Sequence, residues 1–215
     1  MHSIPLSPTV FSELTPRDPW GVTLAELERI AQSVVGPNPE GWVRRGTRIG
    51  LIRNQRVGTD ATKLGDEFSL LAKQVRTVLA TGAADAALRA AAFYHLRFEE
   101  IHPLRDGNGR AGRTLLAMQC SQAYRIPIPQ ILADLEAQVR DYRALIDAPA
   151  QQVQYELMVD LLARILGVPV SGPVPVPFNL RAAFPDKPKG AAAQKVKVMP
   201  NGRIQSKGNF WRKFG

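Results

Sequence analysis

The chain is predicted to be mainly α: a helical bundle with one short β-hairpin, followed by a Pro-rich, basic C-terminal extension. Three observations predict it. Apolar residues recur at helical spacing from about Lys63 to Leu166. Residues 42–58 break that period, mixing Val43, Ile49, Leu51, Ile52 and Val57 with Gly46, Gly50 and Gly58. Residues 168–190 are punctuated by Pro169, Pro173, Pro175, Pro177, Pro185 and Pro188, which makes them extended and linker-like. The expected division is an extended segment over 1–19, a single helical domain over 20–168, and the extension over 169–215.

The elements follow in order. Pro5, Pro8, Pro16 and Pro19 block a long helix at the start. Thr23 is a candidate N-cap, with Glu26 three residues on completing a capping-box pattern. Leu24, Leu27, Ile30, Ala31 and Val34 follow at helical spacing, and Gly36-Pro37 stops the run. The hairpin at 42–58 carries Arg44, Arg45, Arg48, Arg53 and Arg56, with no acid between Glu40 and Asp60. Such a strand is either a solvated edge or faces an anionic partner. Phe68, Leu71, Val75, Val78 and Leu79 form the next stripe, ended by Gly82. Leu88, Ala91, Ala92, His95, Phe98 and His102 share one face of a helix from Asp85. A third helix opens near Asn108 and ends before Pro127 and Pro129. Two more are expected at 130–147 and 150–166. Strand–turn–strand character returns at Lys195–Met199 and Arg203–Gln205, around Pro200-Asn201-Gly202.

Composition excludes several classes. Cys120 is the single cysteine of 215 residues, so neither an intramolecular disulfide nor a multi-cysteine metal site can form. No apolar run approaches the ~20 residues that span a bilayer. No basic-then-apolar signal pattern opens the sequence, and a cytoplasmic location is expected. The net charge of +9 is uneven: residues 181–215 hold nine Lys/Arg against Asp186 alone. The high pI therefore describes the tail. Such a tail suits nucleic acid or another acidic partner, or is merely solubilising.

The chemistry is concentrated in His102-Pro103-Leu104-Arg105-Asp106-Gly107-Asn108-Gly109-Arg110-Ala111-Gly112-Arg113. Pro103 ends the preceding helix at His102, because a residue before proline avoids the α region. The loop then feeds the start of the next helix, whose free N–H groups and positive dipole end suit an anion. Gly107 and Gly109 permit close backbone approach to a phosphate. Arg110 and Arg113 lie on one side of that helix and can clamp phosphate oxygens. Asp106 is a hard oxygen ligand for Mg²⁺, and His102 is a base that can be neutral at neutral pH. These are the parts of a Mg–nucleotide site with a general base. Gly107-x-Gly109-x-x-Gly112 also matches the dinucleotide-binding fingerprint, with Glu136 near the ribose distance. That fingerprint needs a preceding strand, and Asp85–Ile101 is alanine-rich and helical instead.

The stretch resembles the signature of the Fic family, His-Pro-Phe-x-Asp/Glu-Gly-Asn-Gly-Arg-x-x-Arg. Leu104 replaces the usual Phe, an apolar exchange that should alter packing rather than chemistry. The resemblance extends over roughly Trp20–Val168, through Tyr142-Arg143-Ala144-Leu145, Tyr155–Leu166, and the hairpin where the family has its target-pinning flap. It implies transfer of AMP from ATP to a Ser, Thr or Tyr hydroxyl of a target protein. His102 would take the hydroxyl proton and Asp106 would hold Mg²⁺. Amides around Gly107–Gly109, helped by Asn108, would steady the α-phosphate. Arg110 would contact the triphosphate and Arg113 its far end. Gly107-Asn108-Gly109-Arg110 is the transferase form rather than that of the phosphorylating Doc branch, and UMP or phosphocholine transfer is rarer.

Many members restrain themselves with a helix bearing Ser/Thr-x-x-x-Glu-Gly/Asn. Only Thr9–Glu13 approaches this, Leu14 follows it, and Pro8 and Pro16 leave little room for a helix. The chain thus resembles the toxin class, restrained by a separate small antitoxin, with bacterial DNA topoisomerase subunits as a suggested target. The alternative is a degraded Fic-fold binding protein whose tail holds nucleic acid. His95 reads as a hydrogen-bonded core histidine, Cys120 as a buried inert thiol, and Phe210 and Trp211 as surface anchors or base-stacking groups.

Overall fold

A computed structural model describes residues 8–45, 50–52, 55–146, 151–172, 197–198 and 204–205. Its helices are α1 (Pro8–Leu14), α2 (Leu24–Val34), α3 (Leu64–Leu79), α4 (Ala86–Ile101), α5 (Asn108–Tyr124), α6 (Ile128–Ala137), α7 (Val139–Ile146) and α8 (Gln151–Leu166). A 3-10 turn at Ala61–Lys63 leads into α3. Strands β1 (Gly50–Ile52) and β2 (Gln55–Val57) pair antiparallel, Leu51 opposite Arg56. Strands β3 (Lys197–Val198) and β4 (Ile204–Gln205) pair antiparallel, Val198 opposite Ile204.

The capping box forms as its residues imply: Glu26 N–H donates to Thr23 Oγ1 at 3.2 Å, and Thr23 N–H to Glu26 Oε2 at 2.8 Å. The α3 stripe is buried through Leu64, Phe68, Leu71, Val75 and Val78. α4 departs from the one-faced expectation. Every residue from Ala90 to Phe98 is buried, because α3, α5 and α8 all pack against it. Ala90, Ala91 and Ala92 let those neighbours approach closely. The one charge in that run, Arg97, is held by Glu67 at 3.2 Å and Glu100 at 2.7 Å. A helix apolar all round is a central helix.

Two expectations are corrected. Residues 1–19 are not simply extended: Pro8–Leu14 is a two-turn helix, with Phe11 and Leu14 buried. Pro8 opens it, where a missing N–H costs nothing, and Pro16 lies beyond its end, so the prolines bracket the helix. The helix expected over 130–147 is two helices, broken at Gln138, whose backbone leaves the α region (φ −105°, ψ 22°). Pro127 and Pro129 cap and open α6. Past α8, Ser171 N–H donates to the buried Asp85 carboxylate at 2.9 Å, and Arg89 donates to the Ser171 carbonyl at 2.7 Å. Residues 173–190 of the Pro-rich segment, and most of the basic tail, lie outside the described residues.

Candidate active site

α4 and α5 pack side by side and present His102–Gly107 as the loop between them. His102 caps α4 in the left-handed region (φ 50°, ψ 58°), its N–H donating to the Phe98 carbonyl at 3.0 Å. A non-glycine residue there is strained and is retained where the surroundings over-determine it. The surroundings here are Arg44. Its Nε donates to the His102 carbonyl at 2.6 Å, and its Nη2 to the carbonyls of Ile101 at 2.9 Å and Thr59 at 2.7 Å. A cation on the last carbonyls of a helix also meets the negative end of its dipole. Arg44 is 5% exposed, so it is neither a solvated edge residue nor partner-facing as the sequence suggested. Gly58 (φ +88°) closes the same corner: a Cβ there would lie 2.8 Å from the Ile101 carbonyl and 3.0 Å from His102 Cβ.

The outer side of the loop is laced to residues 42–44. Val43 forms an antiparallel bridge with Leu104. Arg44 N–H donates to Pro103 at 2.9 Å, and Arg105 N–H to Trp42 at 2.9 Å. Glu28 supports this strip from α2 by accepting from Trp42 N–H at 2.9 Å and Val43 N–H at 2.8 Å. Leu104 is fully buried, so the apolar replacement is accommodated by packing, as expected.

α5 opens from Gly107, which is left-handed (φ 76°), and a Cβ there would fall 2.3 Å from Val35 Cγ2. Only glycine fits both constraints. The side chain of Asn108 turns into the loop rather than toward the opening. It is buried, its Oδ1 accepting from Leu104 N–H and its Nδ2 donating to the Leu104 carbonyl, each at 2.9 Å. Asn108 therefore fastens the loop. Its backbone N–H, with those of Gly109 and Arg110, has no acceptor among the described residues and begins the open helix end.

Charges ring this opening. Asp106 is 74% exposed and lies 3.5 Å from Arg110. Arg113 curls back over α5, its Nη1 3.3 Å from where a Gly109 Cβ would be, and its guanidinium stands 5.5 Å from the Tyr142 ring centre. Burial lowers the His102 pKa; the Glu99 carbonyl and Asp106 oppose this, and Arg44 adds to it. The imidazole is thus held toward its neutral, proton-accepting form.

The structure gathers His102, Asp106, Gly107, Asn108, Gly109, Arg110 and Arg113 around one loop and helix start. Arg44, Glu28 and Tyr142 were missed as site residues. Their signal was weak: Arg44 sat among five arginines, and only the fold singles it out. His95 is the core histidine expected, with Nδ1 3.2 Å from the Gly112 carbonyl and Nε2 2.7 Å from the Tyr142 hydroxyl. Burial pushes the Cys120 thiol up to about 12, as befits an inert group.

Among the described residues no cluster of three or more His, Cys, Asp or Glu could hold a metal by itself. Asp106 fits Mg²⁺ only in the manner usual for that ion, as one carboxylate beside substrate phosphates. Among the same residues no helix is long and apolar enough to cross a membrane. No curated protein and no solved structure matches the chain. Residues 22–120, from the first turn before α2 into α5, match the model of the Fic/DOC family, and this match supports the chain as a Fic family protein.

Proposed function

We propose that the chain is an adenylyltransferase, moving AMP from ATP to a hydroxyl of a target protein. One observation carries this reading: a desolvated histidine, fixed by a sealed helix end, stands across a single loop from an open helix start ringed by Asp106, Arg110 and Arg113. A nucleotide's α-phosphate suits the amides of Asn108–Arg110. Arg110 and Arg113 suit the β- and γ-phosphates, which they can grip with charge-assisted hydrogen bonds. Asp106 would hold Mg²⁺, which would neutralise charge on the phosphates. His102 accepts the hydroxyl proton as that oxygen bonds to the α-phosphorus. The bond from the α-phosphorus to the oxygen that bridges to the β-phosphate breaks, and pyrophosphate leaves. In this reading the β1–β2 pair serves as the flap that holds the target segment.

Restraint is assigned to a separate antitoxin. Glu13, the one candidate for an internal brake, is exposed on α1, which packs against α6. The protein target remains a hydroxyl-bearing protein of the topoisomerase-subunit kind suggested by resemblance, and the basic tail is proposed to aid its capture.

The test is incubation with labelled ATP, Mg²⁺ and bacterial lysate, read by intact mass. One added AMP on a protein supports the reading, and no label on any protein refutes it. His102→Ala is expected to lower transfer by roughly 10²–10⁴-fold while leaving ATP affinity nearly intact, because the base acts on the incoming hydroxyl. Loss of ATP affinity instead would remove the base assignment.

A further inference from the structure

Arg113 stands at the centre of a polar cluster that the transfer chemistry does not itself use. Its guanidinium stands 5.5 Å from the centre of the Tyr142 ring, and its charge favours the ionised form of the Tyr142 hydroxyl. That hydroxyl is 2.7 Å from His95 Nε2, and His95 Nδ1 is 3.2 Å from the Gly112 carbonyl. The donors and acceptors along this path have only one consistent assignment. A carbonyl can only accept, so His95 Nδ1 carries the proton. His95 Nε2 is then the acceptor, and Tyr142 donates its single proton to it. The Tyr142 oxygen then turns its lone pairs away from His95, where they attract the nearby Arg113 guanidinium, a group that can only donate. The path leaves α5 at Arg113, passes through α7 and α4, and returns to α5 at Gly112, the adjacent residue.

We propose that Tyr142 and His95 are positioning residues that fix the guanidinium of Arg113 for the terminal phosphate of ATP. The inference rests on the proposed nucleotide role of Arg113 and adds the device that aims it. Three features of the cluster support it. Tyr142 and His95 are 5% and 1% exposed, so water cannot substitute for either partner. Gly112 makes the approach possible: a Cβ there would lie 3.2 Å from His95 Cε1 and 2.8 Å from Glu99 Oε1. Burial pushes the His95 pKa down to about 3, so the ring stays neutral and keeps one acceptor nitrogen throughout the working pH range. A flexible arginine on the first turns of a helix otherwise samples many rotamers. Holding it in place before the nucleotide arrives removes part of the ordering cost of binding.

Two measurements on the full chain test this. The first is titration of ATP and of ADP in Mg²⁺ against wild type and Tyr142→Phe. The phenyl ring keeps the packing and removes only the hydroxyl. The wild type is expected to prefer ATP over ADP. Tyr142→Phe is expected to reduce that preference about tenfold, the scale of one hydrogen bond to a charged group, with ADP affinity unchanged. An equal loss for both nucleotides, or an unchanged preference, would overturn the proposal and leave Tyr142 a packing residue. If the wild type itself shows no preference, the terminal-phosphate role of Arg113 fails, and the aiming role fails with it. The second measurement uses no ligand: ¹⁵N NMR of the three histidines, with His95 assigned by substitution. A neutral His95 protonated on Nδ1 from pH 5 to 8 supports the path. The Nε2-protonated form, or a ring that titrates in that range, would break it.

Discussion

Two helix ends meet at the same loop and are finished in opposite ways. The C-terminus of α4 is sealed: Arg44 takes the carbonyls of Ile101 and His102, Thr59 N–H donates to the Ile101 carbonyl at 3.0 Å, and Gly58 packs onto His102. The N-terminus of α5 is open: no side chain caps it, and the amides of Asn108, Gly109 and Arg110 meet no acceptor among the described residues. The difference teaches where each kind of residue is needed. The sealed end holds His102, the proposed base, in a strained backbone conformation, and Arg44, which clamps it, is buried. In the proposed reading the open end receives an anion, so its backbone amides are left without acceptors and the cations beside it, Arg110 and Arg113, stay partly exposed. Asn108 lies on the border, with its amide on the sealed side and its N–H on the open one.

Substitutions on the sealed end are therefore expected to act through stability and geometry together. The largest effect is expected from Arg44→Met. It removes the Arg44 donor from the His102 and Thr59 carbonyls and leaves Ile101 with Thr59 N–H alone, each carbonyl that loses its donor costing about 1–3 kcal/mol when buried. A fall in stability of about 3 kcal/mol or more, read as a lower urea midpoint at constant slope, is the expected outcome. Transfer should fall alongside, since His102 loses the clamp on its own carbonyl. A variant as stable and active as wild type would show that the sealed end is not held by Arg44.

Gly107→Ala probes the hinge between the two ends. The added Cβ must adopt a left-handed backbone, costing roughly 1–2 kcal/mol, and it would also press on Val35 from 2.3 Å. Overpacking of that kind costs about 1–3 kcal/mol. We expect a loss of about 2–4 kcal/mol in thermal or denaturant unfolding. Nucleotide affinity should fall as well, because relief of the clash moves the first turn of α5. Retained stability with retained affinity would mean that α5 can open from another backbone shape.

Much of this contrast was legible in the sequence, and the reasons differ by residue. The open end was readable because its parts are contiguous: Asp106 through Arg113 form one motif, and a loop feeding a helix is a local pattern. The helices over Leu64–Ile101 were readable because their apolar periods are strong. The sealed end was not readable, since its key partner lies 58 residues from His102. Nothing local separates Arg44 from Arg45, which is exposed. Asn108 was legible only in part for a similar reason: a motif names the residue but not whether its amide or its N–H faces the opening. α1 was missed because prolines were read as blocking a helix when they bracket one.

The smallest effect on folding is expected on the open side, from Asp106→Asn, and it inverts the relation between stability and function. Asp106 is 74% exposed, and its ion pair with Arg110 spans 3.5 Å. Exposed pairs of this kind contribute about 0–1 kcal/mol, so the unfolding midpoint should barely move. Function should change in two ways. Mg²⁺ should no longer stimulate ATP binding, because the exposed carboxylate proposed to hold it is gone. The pH profile of the residual transfer should also shift. His102 works when neutral, and burial already lowers its pKa below the ordinary 6.5, so wild-type activity should persist below that pH. The Asp106 charge opposes that lowering by favouring the imidazolium. Removing it disfavours protonation further, and the acidic limb of the rate profile should move to still lower pH. The contrasting control is Arg44→Met, which removes a charge that disfavours the imidazolium and should move the limb upward. If both variants shift the limb in the same direction, the titrating group is not a histidine placed between these two charges, and His102 is not the base.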